Sequence, residues 1–179
     1  MSYLDDIDAF HAKFGIHYPD PPRLLPGDPP RPEVRAALSE TLLELRRFGR
    51  SRDSLIAFRV GFMLEELVEY VNAHRDGELA KALDALVDLL YVLLGTVHLH
   101  GFNFRRGDRD VLAPIFELAW QRVHAANMAK VKGTGATSSR SASFDVVKPP
   151  GWQPPQLEDL VAPIGDDDQT MRRIYDHNL

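Results

Sequence analysis

Two groups of acidic side chains have residue types and spacing suited to binding a metal ion. Glu65, Glu66 and Glu69 lie in the run GFMLEELVEYVNAH, and Asp84 and Asp88 lie in KALDALVDLLYVLLG. Residues three and four apart share a face of an α-helix. Glu66 and Glu69 therefore share a face of one helix, and Glu65 lies on that face as well because it is four residues before Glu69. Asp84 and Asp88, also four residues apart, share a face of the next helix. Each group is expected to project from one side of its helix.

The surroundings of Asp88 favour a bound cation. An apolar run follows Asp88 and predicts a helix that is buried around almost its whole circumference. Carboxylates there are costly to desolvate, and several facing each other need a cation or raised pKa values. Lys81 lies a full heptad before Asp88 and Arg105 well after it, so neither neutralises it at helical spacing. A hard divalent cation with oxygen ligands, Mg²⁺ or Mn²⁺, is the simplest partner.

The alternative interpretation is that these acids are ordinary surface residues of amphipathic helices. For Glu65 alone that would be the default, because paired glutamates are common on exposed faces. For Asp84 and Asp88, inside DALVDLLYVLLG, it fits poorly. We therefore predict a metal site formed by both acidic groups.

Helical periodicity supplies the elements that must position these groups. A stretch with seven prolines at 19–32 predicts an extended linker. Gly49 is expected to end the helix after this linker, and Ser51 or Asp53 to cap the next one. A last long helix would be capped by Asp108. The predicted helices span residues 3–14, 33–48, 52–74, 78–100 and 108–130.

A short turn at Asp76-Gly77 predicts an antiparallel hairpin of the third and fourth of these helices. Counted outward from that turn, Glu69 and Asp84 lie at similar depths, so the acidic groups should face each other. The predicted fold is an all-α helical bundle built on this hairpin, with a Pro/Gly-rich C-terminal extension. We assign residues 1–132 to one domain, with 1–32 as its N-terminal helix and linker. Residues 133–179 are expected to form an irregular extension packed on the same domain.

Composition narrows the class of protein. The chain has 179 residues, 44% of them hydrophobic and 26% charged, as in an ordinary globular domain. Its formal net charge of −5 argues against nucleic-acid binding, and the absence of cysteine excludes disulfides and thiolate metal sites. No secretory signal is evident, and the longest uncharged run falls short of a membrane span. We expect a cytoplasmic protein with neither a membrane nor a nucleic-acid partner.

The acidic motifs resemble those of the MazG-like all-α nucleoside triphosphate pyrophosphohydrolases. Their signature is ExxE, a spacer, then ExxD on a helical hairpin. Here Glu66 and Glu69 match ExxE and Asp88 matches the terminal Asp, but Ala85 stands where the pattern has Glu, and the acid is one residue earlier as Asp84. The DALVDLLYV form is more similar to a bacteriophage subgroup, the MazZ-like purine dNTP pyrophosphohydrolases. FHAKFG, VHAANMAKV and FDVVKPPGWQPP match that subgroup in the same order.

The resemblance implies hydrolysis of a (d)NTP to (d)NMP and pyrophosphate, with a purine deoxynucleotide such as dGTP as the favoured substrate. On that analogy Glu66, Glu69 and Asp88 hold Mg²⁺ or Mn²⁺, with Asp84 as fourth ligand, and Glu65 binds a second ion or helps deprotonate the attacking water. Relatives assemble as dimers or dimer-of-dimers tetramers, so a homo-oligomer is expected, in the host cytoplasm if the chain is phage-encoded.

Contacts to the triphosphate should come from elsewhere in the chain. Asn127 and Lys130, three apart in NMAK, match the subgroup's pattern. Without that match Lys130 would be read as a solvated lysine favoured by the helix dipole. Arg59 and Lys148 are lesser candidates, and Tyr91 either lines a base pocket or is ordinary core or surface.

Two other classes of protein compete with the enzyme. A non-catalytic metal-binding helical bundle would keep the hairpin and act in protein interactions, but it would be expected to lose ligands or phosphate contacts that this chain retains apart from Ala85. A di-iron carboxylate bundle needs paired Glu-x-x-His motifs, which this sequence lacks.

Overall fold

A computed structural model describes residues 2–106, 113–133 and 145–162. Helices dominate these ranges and the strands are only two residues long, which confirms the predicted all-α fold. The chain divides into two compact units, one formed by residues 17–102 and the other by residues 1–16 with 103–179. The predicted boundary at residue 132 stays a prediction.

The first of these units, the hairpin unit, contains three long helices. They are α2 (Pro32–Arg52), α3 (Leu55–Asp76) and α4 (Leu79–Leu99). Gly77, at φ 74°, ends α3 in the left-handed conformation that glycine adopts readily, so α4 folds back against α3 as predicted. Ala73, Ala82 and Ala85 are almost fully buried. Small residues let two helix backbones approach closely, and this alanine seam brings the acidic side chains of α3 and α4 near each other.

The predicted boundary between α2 and α3 was wrong. Gly49 does not end α2, which continues to Arg52. A Cβ at Gly49 would lie 3.6 Å from the Phe58 nitrogen and 3.7 Å from the Ala57 Cβ, which are ordinary van der Waals distances, so this part of α2 lies next to the start of α3. Asp53 caps the C-terminal end of α2 at φ 49°, a conformation that Asp tolerates. The N-cap of α3 is Ser54, whose side chain accepts from the Ala57 amide.

The second unit, the terminal unit, combines the described residues before residue 17 with those after residue 102. Its elements are α1 (Tyr3–Phe14), β1 (Arg105–Arg106), β2 (Ala113–Pro114), α5 (Ile115–Met128), β3 (Val131–Lys132), β4 (Val146–Val147) and α6 (Glu158–Val161). A capping box of Ser2 and Asp5 begins α1, a feature that the sequence analysis did not predict. The long helix predicted from residue 108 begins only at Ile115, because residues 113–114 pair with β1 instead. The predicted cap, Asp108, lies outside the described residues.

Side-chain hydrogen bonds and ion pairs connect α1 and α6 to α5. The Trp120 indole donates to Asp6 over 2.8 Å, and His124 lies 3.8 Å from the other oxygen of that carboxylate. Arg122 forms a two-pronged ion pair with Asp159. The terminal unit is therefore stabilised by side-chain pairs between segments far apart in sequence.

The outer face of α4 is apolar and exposed. The expectation that α4 is buried around its circumference was wrong for the chain on its own, because contacts with α3 cover only one side. Leu83 is 64% exposed, Tyr91 is 80% exposed, and Asp84 and Asp88 are exposed as well. In the described residues α4 alone has the length and composition of a membrane-crossing helix, a property that core helices of soluble proteins share.

Candidate active site

Helix α3 supplies a half-buried glutamate with an unsatisfied oxygen. Glu66 Oε2 is buried and has no hydrogen-bond partner in the described part of the chain. A buried polar atom without a partner is uncommon because the lost hydration is not replaced. Glu69, one turn later, is exposed and makes no hydrogen bond or ion pair with any described residue. The carboxylates of Glu66 and Glu69 are therefore largely uncompensated.

Helix α4 brings its acids to the same side of the hairpin. Asp84 and Glu69 line one cleft of about 360 Å³, together with Asn72 and Lys81. Asn72 lies one turn beyond Glu69 on α3, a spacing that could have identified it from the sequence. Lys81 is already paired with Glu78 over 2.5 Å. The cleft therefore has carboxylates on two helices. Lys81 could neutralise them only if its ion pair with Glu78 were broken.

Electrostatics link all five predicted carboxylates. The pKa of Glu66 is raised above its ordinary value, first by burial and then by the negative charges of its neighbours. In decreasing order of effect these neighbours are Glu69, Asp88, Glu65 and Asp84. Each opposes ionisation of Glu66, so the group as a whole favours a proton or a cation at its centre.

Ala85, the position where the pyrophosphohydrolase pattern has Glu, lies in the alanine seam. It is only 2% exposed, whereas its neighbour Asp84 is exposed on the next face of α4. Asp84 also has the weakest effect of the four on the pKa of Glu66. The shifted acid is therefore the most peripheral member of the group.

Arg46 of α2 is a site residue that the sequence analysis missed. Its guanidinium pairs with Glu65 over 2.6 Å. No signal in the sequence predicts this pair, because it depends on how α2 packs on α3. The pair attaches α2 to the edge of the acidic group.

Arg59, predicted to bind substrate, has partners within the hairpin. It donates to the Thr96 hydroxyl over 3.1 Å and to the Val92 carbonyl over 2.5 Å. A Cβ at Gly95 would lie 3.0 Å from this guanidinium, so glycine makes room for it. Tyr91, the other substrate residue predicted in this unit, projects from α4 one turn beyond Asp88 and is largely exposed.

The remaining predicted substrate residues belong to the terminal unit. Asn127 and Lys130 lie at the end of α5, and β3 pairs with β4 in a register that brings Lys130 beside Lys148. Lys148 lies over the Trp152 ring at 4.4 Å, and the Trp152 indole donates to the Ala126 carbonyl. The pairing of β3 with β4 thus places the predicted phosphate-binding residues of this unit near the end of α5. Their role in substrate binding stays a prediction.

The acidic group offers the kind of donor atom that a divalent cation binds. All are carboxylate oxygens, which Mg²⁺ and Mn²⁺ prefer, and the buried Glu66 Oε2 is an unused acceptor. As placed, no three His, Asp or Glu side chains of the described residues are close enough to hold an ion. Glu69, Asp84 and Asp88 are exposed and unpaired with described residues, so their side chains can turn toward an ion without breaking a contact.

Comparison with known proteins gives one match. The family model of phosphoribosyl-ATP pyrophosphohydrolase matches residues 46–110, which contain all five carboxylates together with Arg46, Arg59 and Tyr91. No curated protein and no solved structure matches the chain. The matched family belongs to the MazG-like all-α superfamily and consists of hydrolases that act on phosphoric anhydride bonds. All of α3 and α4 in the hairpin unit therefore lie in a segment that is similar to the phosphoribosyl-ATP pyrophosphohydrolase family.

Proposed function

We propose that the chain is a metal-dependent nucleoside triphosphate pyrophosphohydrolase that converts a (d)NTP and water into a (d)NMP and pyrophosphate. One observation carries the proposal: Glu66 has a buried oxygen without a hydrogen-bond partner among the described residues, and its pKa is raised first by burial and then by four other carboxylates. A carboxylate in such surroundings destabilises a folded protein unless it binds a ligand. Its position in a segment similar to the phosphoribosyl-ATP pyrophosphohydrolase family supports a cation that accompanies a polyphosphate as this ligand.

Glu66, Glu69 and Asp88 would hold Mg²⁺ or Mn²⁺, with Asp84 as a peripheral fourth ligand. A bound ion supplies charge neutralisation for the phosphates and makes a bound water more acidic. Glu65 has a separate role. Because Arg46 fixes its position, Glu65 keeps a carboxylate beside the group, where it can accept a proton from the attacking water.

The favoured substrate is a purine deoxynucleoside triphosphate such as dGTP. This choice is supported by the resemblance of DALVDLLYV and FDVVKPPGWQPP to the phage subgroup. Asn127, Lys130 and Lys148 are proposed as phosphate contacts on the same ground.

We also propose that a second copy of the chain covers the apolar face of α4, in a dimer or a dimer of dimers. Contiguous exposed apolar surface of this kind marks an interaction site. Asp84 and Asp88 lie within the same apolar helix and would be costly in a bilayer. Light scattering after size exclusion in detergent-free buffer should give at least a dimer, and Leu90→Gln should shift it toward the monomer. A monomeric native protein would refute this part of the proposal.

The proposed reaction is tested by product identification. The purified protein is incubated with Mg²⁺ and each common dNTP and NTP in turn, and products are resolved by chromatography and ³¹P NMR. Monophosphate with pyrophosphate is the expected result, with purine deoxynucleotides turned over fastest. Diphosphate with free phosphate would mean that a different anhydride bond is cleaved. The absence of turnover with both Mg²⁺ and Mn²⁺ would favour the non-catalytic metal-binding protein.

A further inference from the structure

A second cavity of the hairpin unit lies between α2 and α3 and adjoins the acidic group. It encloses about 870 Å³, and Glu65 lines it. Clefts of this size hold small-molecule ligands. From Arg46 to Asp53 the α2 wall runs seven residues, or about 10 Å at the rise of an α-helix. The cleft therefore leads from the carboxylates to the α2–α3 turn.

The walls of this cleft carry cations and aromatic rings. Arg46 and Arg50 are one helical turn apart on α2, and Arg50 Nε donates to the Arg46 carbonyl over 3.3 Å, which lays its side chain back toward Arg46. Arg46 is paired with Glu65, whereas Arg50 has no ion pair among the described residues. Like charges one turn apart repel each other, so an anion between them would be stabilising.

The opposite wall is aromatic. Phe58 and Phe62 of α3 form an edge-to-face pair with ring centroids 4.5 Å apart, and both line the cleft. Gly61 lies between them in sequence, and a Cβ added there would have no atom within 4 Å. The aromatic wall therefore borders open space at Gly61.

We propose that this cleft is the nucleotide subsite of the site described above, an inference that rests on the proposed function. Arg46 and Arg50 bind phosphate oxygens near Glu65, and the sugar and base extend along Phe58 and Phe62 toward the α2–α3 turn. Cations beside carboxylates suit a triphosphate that reaches the acidic group with its metal ion. Stacking on phenylalanine suits a base because every base has an aromatic face. The two arginines and two phenylalanines are substrate-positioning residues that the sequence analysis did not identify.

The first test fills the cleft. Gly61→Leu places a side chain in the open space of the cleft, and leucine favours the helix more than glycine does. Calorimetry would measure binding of an α,β-imido deoxynucleoside triphosphate with Mg²⁺, and circular dichroism and Mn²⁺ binding would monitor the fold and the acidic group. We expect at least a tenfold weaker Kd for the analogue, about the loss of one good contact. Helix content and Mn²⁺ affinity should stay native.

The second test uses two arginines of the same helix. Arg50→Gln removes a cation from the cleft, and the matched control Arg47→Gln removes an exposed one that pairs with Glu44 instead. We expect about a tenfold rise in Kd and KM for Arg50→Gln, as for a lost charge-assisted hydrogen bond, and native values for Arg47→Gln.

The outcomes separate this inference from the proposed reaction. Native hydrolysis together with native KM in Gly61→Leu and Arg50→Gln would overturn the subsite and leave the reaction standing. Analogue binding that these variants weaken, in a chain that hydrolyses nothing, would support the subsite and refute the reaction. A native chain that neither binds the analogue nor hydrolyses any nucleotide would overturn both. Dissociation of an oligomer by Gly61→Leu, with nucleotide binding unchanged, would identify the cleft as a contact between copies and also overturn the subsite.

Discussion

The Arg59 guanidinium of α3 donates to the Thr96 hydroxyl of α4 over 3.1 Å, two turns beyond Asp88. A second bond reaches the Val92 carbonyl, which also accepts from Thr96. These bonds hold the hairpin together at the end away from its turn. The arrangement gives Arg59 a structural role, and its contact with substrate stays a prediction.

Arg59→Gln is therefore expected to lower the free energy of unfolding by about 1–2 kcal/mol, because hydrogen bonds from a charged donor to half-buried acceptors are lost. Urea denaturation measures this change. Arg47→Gln is the control, since its exposed ion pair with Glu44 contributes about 0–1 kcal/mol. Unchanged stability together with a large rise in KM would show that Arg59 binds substrate instead.

The Asp88→Asn variant should lose much more hydrolytic activity than the Asp84→Asn variant. Asp88 acts more strongly on Glu66 than Asp84 does, and Asp84 is the peripheral acid. We expect kcat/KM to fall more than about 100-fold for Asp88→Asn. Mutation of a residue that only hydrogen-bonds to a metal ligand already lowers activity about 10–100-fold. For Asp84→Asn we expect a loss of about tenfold or less. Steady-state kinetics with native-like circular dichroism would check both, and equal losses would contradict the ranking.

Glu66 should make the metal-free protein less stable as the pH rises. Its pKa is raised above the ordinary 4.5, so the folded chain holds this proton more tightly than the unfolded chain. Between pH 4.5 and the raised pKa, ionisation of Glu66 therefore removes stability. We expect the Glu66→Gln variant to gain stability relative to the native chain across this window, measured by urea denaturation in chelator-containing buffer.

The described carboxyl groups whose pKa values are lowered titrate below this window. Asp76 and Asp159 have lowered pKa values, so their contribution is present above their ordinary 3.8 and is lost only as the pH falls through the lowered values. A stability difference between Glu66→Gln and the native chain that does not change with pH would refute the expected effect.

Mg²⁺ should stabilise the native chain and not the Asp88→Asn variant. A ligand that binds only the folded state adds about 2.7 kcal/mol at one hundred times its Kd. Thermal unfolding with increasing Mg²⁺ would reveal the effect, and Ca²⁺ and Na⁺ at equal ionic strength control for screening. Equal shifts of Tm in the native and variant proteins would mean that the ion binds elsewhere.

The hairpin and the clustering of its acids could be predicted from the sequence because both depend on local signals. Periodicity fixed α3 and α4, Gly77 fixed the turn, and counting from that turn placed Glu69 near Asp84. The end of α2 was mispredicted because Gly49 lies inside the helix, and the left-handed conformation that ends α2 is adopted by Asp53 instead.

Features that depend on partners distant in sequence could not be predicted. The start of α5 depends on a pairing with β1, and the ion pair of Arg46 with Glu65 depends on the approach of α2 to α3. The burial of α4 is a different case. Its apolar composition was correctly recognised, but composition does not state whether the covering surface comes from the same chain.

The alanine seam of the hairpin has a consequence for how this sequence can change. A single substitution, Ala85→Glu, would restore the ExxD spacing, yet it would insert four heavy atoms and a charge at a position that is 2% exposed. Overfilling a packed interior typically costs about 1–3 kcal/mol, and an added buried carboxylate costs more. A glutamate at this position would therefore require compensating changes in the packing around it. The acid one residue earlier, Asp84, avoids this cost because it is exposed.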